Sequence, residues 1–138
     1  MSTDLVIRRF IPVAREKVFA AWLDAAGMSE WMCAGDGTAT ADIDPRVGGK
    51  FRIAMTHGSR RTEHTGEYLA IEPPSLVSFT WRSAYTDDES TIVTVELVES
   101  GGGTELTLTH RRLPPARIDA HRDGWTDILR KLDAALSR

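Results

Sequence analysis

Apolar and polar positions alternate from the start of the chain. Leu5, Ile7 and Arg9 fall on one face, Val6, Arg8 and Phe10 on the other, and Pro12 stops the ladder, so the spacing predicts a strand. Between Ala14 and Leu23 the period lengthens. Val18, Phe19, Trp22 and Leu23 form one stripe while Arg15, Glu16 and Lys17 turn away from it, which predicts an amphipathic helix. Asp24 is placed to cap a shorter second helix carrying Met28, Trp31 and Met32, which Gly35-Asp36-Gly37 ends. From Thr38 the period is two. Strands are expected at 38–44, 50–57, 62–72, 76–83, 91–98 and 105–110, separated by Pro45–Gly49, a Gly58–Arg61 turn, Pro73-Pro74, the polar 86–89 turn and Gly101–Gly103. Pro114-Pro115 then halts the sheet. Ile118, Trp125, Ile128, Leu129, Leu132 and Leu136 recur at steps of three, four and seven, which predicts a C-terminal helix of about five turns.

This order, β-α-α-β6-α, reads as an α+β domain in which a curved antiparallel β-sheet and the last helix must cover each other's apolar faces. A straight helix across a curled sheet touches it unevenly, so a cavity between the two is expected. Its walls would be Trp31, Phe51, Ile53, Met55, Phe79, Trp81, Val93, Val95, Leu106, Leu108, Trp125 and Leu129, with His57, Tyr68, His110 and His121 as polar accents.

The run Asp42-Ile43-Asp44-Pro45-Arg46-Val47-Gly48-Gly49-Lys50-Phe51-Arg52 resembles the D-x-R-x-G-G-x-F signature of START-like (SRPBCC, Bet v 1-type) proteins, in the branch related to the C-terminal domain of the Hsp90 ATPase activator Aha. Trp31, Gly66-Glu67-Tyr68, Ile71-Glu72-Pro73-Pro74, Phe79-Thr80-Trp81, Gly103–Leu108 and Gly124-Trp125 continue the likeness over nearly the whole chain. The resemblance implies the helix-grip fold and, in many relatives, a hydrophobic ligand beneath the C-terminal helix. Relatives range from carriers and receptors to polyketide cyclases and a co-chaperone domain, so fold alone names no activity. Full-length Aha-type co-chaperones carry a further N-terminal domain, so Hsp90 stimulation is not expected of these 138 residues.

Composition narrows the choice. A chain of 138 residues, 41% hydrophobic and 27% charged, fits a single domain over 1–138 with its own core. Seventeen Lys and Arg against 20 Asp and Glu give a net charge of −3, with the basic residues dispersed, so no nucleic acid partner is expected. No apolar run approaches the ~20 residues that span a bilayer, so no membrane insertion is expected. The N-terminal MSTDLVIRRF lacks the layout of a secretion signal, and the lone Cys33 has no disulfide partner, which together point to a cytoplasmic protein. A small apolar or aromatic molecule is the expected partner, and a homodimer is compatible.

Candidate chemistry is sparse. The Asp44–Gly49 loop reads as a structural strand entry anchored by Arg46 rather than as a phosphate cradle. His57 facing His64 across the hairpin would bring two rings together, yet a zinc site needs three protein donors and only the offset Glu63 is near; no metal and no cofactor are expected, and exposed turn histidines are the plainer reading. His110 and His121 are expected at the cavity rim, and with Tyr68 they are the candidates for proton transfer if the protein is a cyclase, dehydratase or hydrolase. Cys33 has no base beside it in sequence and reads as packing. Gly124, inside the last helix, costs about 1 kcal/mol relative to alanine, so close packing or space for a ligand should explain it. A protein-interaction module is the third reading, for which the sequence shows no exposed apolar patch.

Overall fold

The computed structural model describes residues 3–138; Met1 and Ser2, the start of the segment read for a leader, lie outside them. Strand β1 (Thr3–Ile11) is followed by helices α1 (Arg15–Ala21) and α2 (Ala25–Met28). Strands β2 (Thr38–Ile43), β3 (Lys50–His57), β4 (Arg60–Glu72), β5 (Leu76–Trp81), β6 (Thr91–Ser100) and β7 (Gly103–Leu113) come next, and helix α3 (Ile118–Leu136) closes the chain. All seven strands pair antiparallel in the order β1-β7-β6-β5-β4-β3-β2, so the first strand returns to pair with the last and β2 forms the far edge.

The sheet bends at β4. The first half of β4 pairs with β3 and its second half with β5, with an irregularity between Tyr68 and Ala70 and a further bridge from Thr65 to Arg82. A bulge adds twist to the strand that carries it. The concave face so formed buries Leu106 and Leu108 of β7, Val93, Val95 and Leu97 of β6, and Val77 and Phe79 of β5 against Trp125, Ile128, Leu129 and Leu132 of α3. α1 and α2 close one end, where Trp22 meets Trp31 edge to face at 4.9 Å. The α+β helix-grip architecture expected from the sequence is the one observed.

Three local expectations change. The hairpin between β3 and β4 turns through two residues, Gly58-Ser59, instead of four. Gly58 sits at φ 62° in the first central position, where a side chain would be strained. The shorter turn sets His57 opposite Arg60 and His64 opposite Ile53, so the two histidines are not cross-strand partners. Secondly, α2 is a single turn, and the Asp24 side chain makes no capping hydrogen bond. Thirdly, β5 stops at Trp81, and Ser83 instead begins a 3-10 turn at Ala84–Thr86 through a reciprocal pair of hydrogen bonds with Thr86 and its neighbours. The Asp44–Gly49 loop closes on itself as expected: Arg46 Nε donates to Asp44 Oδ2 at 2.9 Å, and Gly48 takes φ 84°.

One ion pair ties α3 to the sheet edge. Arg9 of β1 donates from Nε at 3.1 Å and from Nη2 at 2.9 Å to the same oxygen of Asp133. Replacing the guanidinium while keeping an apolar stem, Arg9→Met, should lower stability by about 1 kcal/mol, since it leaves a half-buried carboxylate with one partner fewer. Urea denaturation checks this; an unchanged midpoint would mean that the pair does not fasten the helix.

Candidate functional site

The helix and sheet separate at one end of the concave face and leave a recess of about 220 Å³. β3 contributes Met55 and His57, β4 His64, β5 Trp81 and the 3-10 turn Tyr85. The loop after α2 contributes Ala34, and α3 supplies Ala120, His121, Gly124, Trp125 and Ile128. Of the twelve wall residues expected from the sequence, Met55, Trp81 and Trp125 border this space. Val93, Val95, Leu106, Leu108 and Leu129 lie in the packed core, Phe51, Ile53 and Phe79 surround a residual gap of only about 10 Å³, and Trp31 packs against Trp22.

The aromatic wall is held by a buried chain of hydrogen bonds. Trp125 Nε1–H donates to His110 Nδ1 at 3.0 Å, and His110 Nε2 lies 2.7 Å from Thr91 Oγ1, which donates to the Trp81 carbonyl at 2.5 Å. An indole N–H can only donate and the hydroxyl proton is committed to a carbonyl, so His110 must be neutral and protonated on Nε2. A second proton on Nδ1 would break the Trp125 bond. Burial and, next, the nearby His121 hold the His110 pKa down at about 3. His110 is 0% exposed and sits behind Trp125, not at a rim, with both nitrogens occupied.

The other candidates part company. Tyr68 is 3% exposed among Phe51 and Phe79, at ring distances of 5.5 and 6.2 Å, and burial pushes its hydroxyl up to about 12. It does not border the recess. His121 does; its Nδ1 lies 2.8 Å from the Arg117 carbonyl and donates to it, and burial lowers its pKa. His64 is buried, where exposure was expected, and stacks on Trp81 at 4.8 Å. Its Nδ1 is sealed from solvent without a hydrogen-bond partner, and burial followed by the field of His121 holds its pKa at about 4.

Sequence spacing missed the neighbour of Cys33. His57 of β3 reaches the Ala34 carbonyl from Nε2 at 2.9 Å, and the Cys33 sulfur lies 3.5 Å from the same nitrogen. Residues 24 positions apart meet here because β3 ends beside the loop after α2, a tertiary juxtaposition with no local signal. The thiol is not activated by it. Burial pushes its pKa up, against a smaller opposing pull from Lys131. The same loop is gripped from α3: Lys131 Nζ donates to the Cys33 carbonyl at 2.6 Å and also to that of Gly35, while Asp127 accepts from the Gly35 N–H. Among the described residues no group of three His, Cys, Asp or Glu side chains is arranged for a metal ion, and no helix is long and apolar enough to cross a membrane.

Gly124 faces the recess from α3, and a Cβ built on it would meet nothing within 4 Å. Close packing therefore does not explain the glycine.

A model of the family described as Activator of Hsp90 ATPase homolog 1-like protein matches residues 12–137. The chain belongs to this family. Solved structures agree across its length. The AHSA1 protein of Silicibacter pomeroyi is 31% identical with a TM-score of 0.81, the alignment covering 98% of each chain. A Rhodobacter sphaeroides protein is 27% identical with a TM-score of 0.85, covering 98% of this chain and 93% of that one. A Chromobacterium violaceum protein is 22% identical with a TM-score of 0.87, covering 99% of each. No curated protein matches the chain. The AHSA1-like, START-like fold is of a ligand-binding type.

The buried histidines make a statement about pH. His110 and His64 both have folded-state values below the usual 6.5, so the unfolded chain binds more protons between 6.5 and the folded values, and stability must fall as the solution is acidified through that window. Each such group contributes a loss of up to about 1.4 kcal/mol per pH unit. Urea midpoints measured between pH 7 and pH 5 should therefore drop steeply in the wild type. They should drop less in His110→Phe, which starts from lower stability because the Trp125 and Thr91 groups lose their partner. Parallel pH profiles for the two proteins would refute the assignment.

Proposed function

We propose that this protein binds a small aromatic molecule in the recess between α3 and the β3–β5 end of the sheet. The observation that carries this reading is Gly124: a helix-interior glycine that relieves no clash, at a cost of about 1 kcal/mol against alanine, where the missing side chain enlarges the space. Size and lining support it. An apolar cavity of ~150 Å³ takes up benzene, and about 220 Å³ suits one or two rings. Trp81 and Trp125, with centroids 5.3 Å apart, offer faces and edges for an aromatic guest. A proton-transfer enzyme is less well supported, because His110 has no free nitrogen and Tyr68 lies outside the recess. The unpaired Cys33 is consistent with a reducing, cytoplasmic setting.

Substitutions at Gly124 separate binding from folding by sign. Gly124→Ala should raise stability by up to about 1 kcal/mol, whereas Gly124→Leu should leave the fold intact and weaken binding of naphthalene, followed by tryptophan fluorescence, by roughly tenfold or more. Equal naphthalene affinity in wild type and Gly124→Leu, or none in either, would overturn the reading.

A further inference from the structure

We propose that the natural occupant of the recess carries a hydroxyl group on its aromatic ring and that this hydroxyl donates a hydrogen bond to Nε2 of His121. The proposal rests on the binding reading above and adds a chemical class to it. His121 borders the recess, and its Nδ1 proton is committed to the Arg117 carbonyl at 2.8 Å. In the neutral ring Nε2 is then a bare lone pair, so a guest atom meeting it must be a donor.

The neighbouring wall reinforces that demand. The His57 Nε2 proton is spent on the Ala34 carbonyl, the Trp125 indole proton on His110, and the His110 proton on Thr91, so these groups offer no hydrogen to a carbonyl or carboxylate guest. A pure hydrocarbon would therefore cover the His121 lone pair and leave it unpaired.

Charge selects among donors. No Asp or Glu lines the recess. The Arg60 guanidinium, and that of Arg117, itself paired with Asp87 at 2.8 Å, act on Tyr85 at its edge, where hydrogen bonding to Thr62 and then Arg60 holds the tyrosine hydroxyl below its ordinary value. Arg60 on this edge opposes an ammonium donor, while a neutral, weakly acidic aromatic hydroxyl supplies the proton without a charge to bury.

A matched set of probes tests the assignment: naphthalene, 2-naphthol, 2-methoxynaphthalene and 2-naphthoate, titrated at neutral pH against wild type, His121→Phe and His121→Gln. The wild type should bind 2-naphthol roughly fivefold or more tightly than the methyl ether, which keeps the oxygen but loses the proton, and more tightly than the carboxylate. His121→Phe should bring the ratio of 2-naphthol to 2-methoxynaphthalene affinity within that protein close to one, whatever its affinity for naphthalene, and His121→Gln, whose amide oxygen accepts, should restore part of the ratio. The ranking in the wild type stands as a test even if a variant folds poorly. The proposal is overturned if the ether or the carboxylate matches 2-naphthol, or if the preference survives in His121→Phe. Binding of naphthalene without any hydroxyl preference would remove this inference and leave the binding reading standing; failure of every probe would remove both.

Discussion

A buried imidazole must be uncharged and fully paired, and His110 meets both conditions only while Thr91 of β6 and Trp125 of α3 are in place. That chain of hydrogen bonds sets where the long helix sits on the sheet and how its largest side chain is turned. Hydrophobic burial of Ile128, Leu129 and Leu132 presses the helix down but does not specify its rotation closely, since apolar contact is non-directional. The indole-to-imidazole bond is directional. It fixes the Trp125 ring beside Trp81, and the recess begins where these two rings end.

Much of the fold was legible because its causes are periodic. The change from period two to 3.6 and the paired prolines marked the seven strands and the long helix within a few residues, and the Asp44–Gly49 signature pointed to the right family. The site was legible only in part. Listing inward-facing residues identifies the concave face, yet whether a stretch of that face is filled or empty depends on volumes brought in by other elements. Trp22 and Trp31 arrive from the short helices and fill the middle, leaving about 10 Å³ beside Phe51, Ile53 and Phe79. At the other end the incoming residues are Ala34, Ala120 and Gly124, and the space stays open. Gly124 was the one sequence signal for this, as a local rule broken without a local reason.

The histidines show the same division. Their presence was plain in the sequence, but the roles of three depend on a partner in another element, Trp125 for His110, Trp81 for His64 and Ala34 for His57, while His121 binds locally to the Arg117 carbonyl. Register decides such meetings: with His57 opposite Arg60 and His64 opposite Ile53, the two rings lie apart along the strands, because a shift of register moves every pairing.

Lys131 and Asp127 grasp the loop at Cys33–Gly35 from the same helix that lines the recess with His121, Gly124 and Trp125. Roof and sill thus belong to one rigid body. Any tilt of α3 that widens the interior must drag the Ala34 threshold along with it, so capacity and access are mechanically geared rather than separately adjustable.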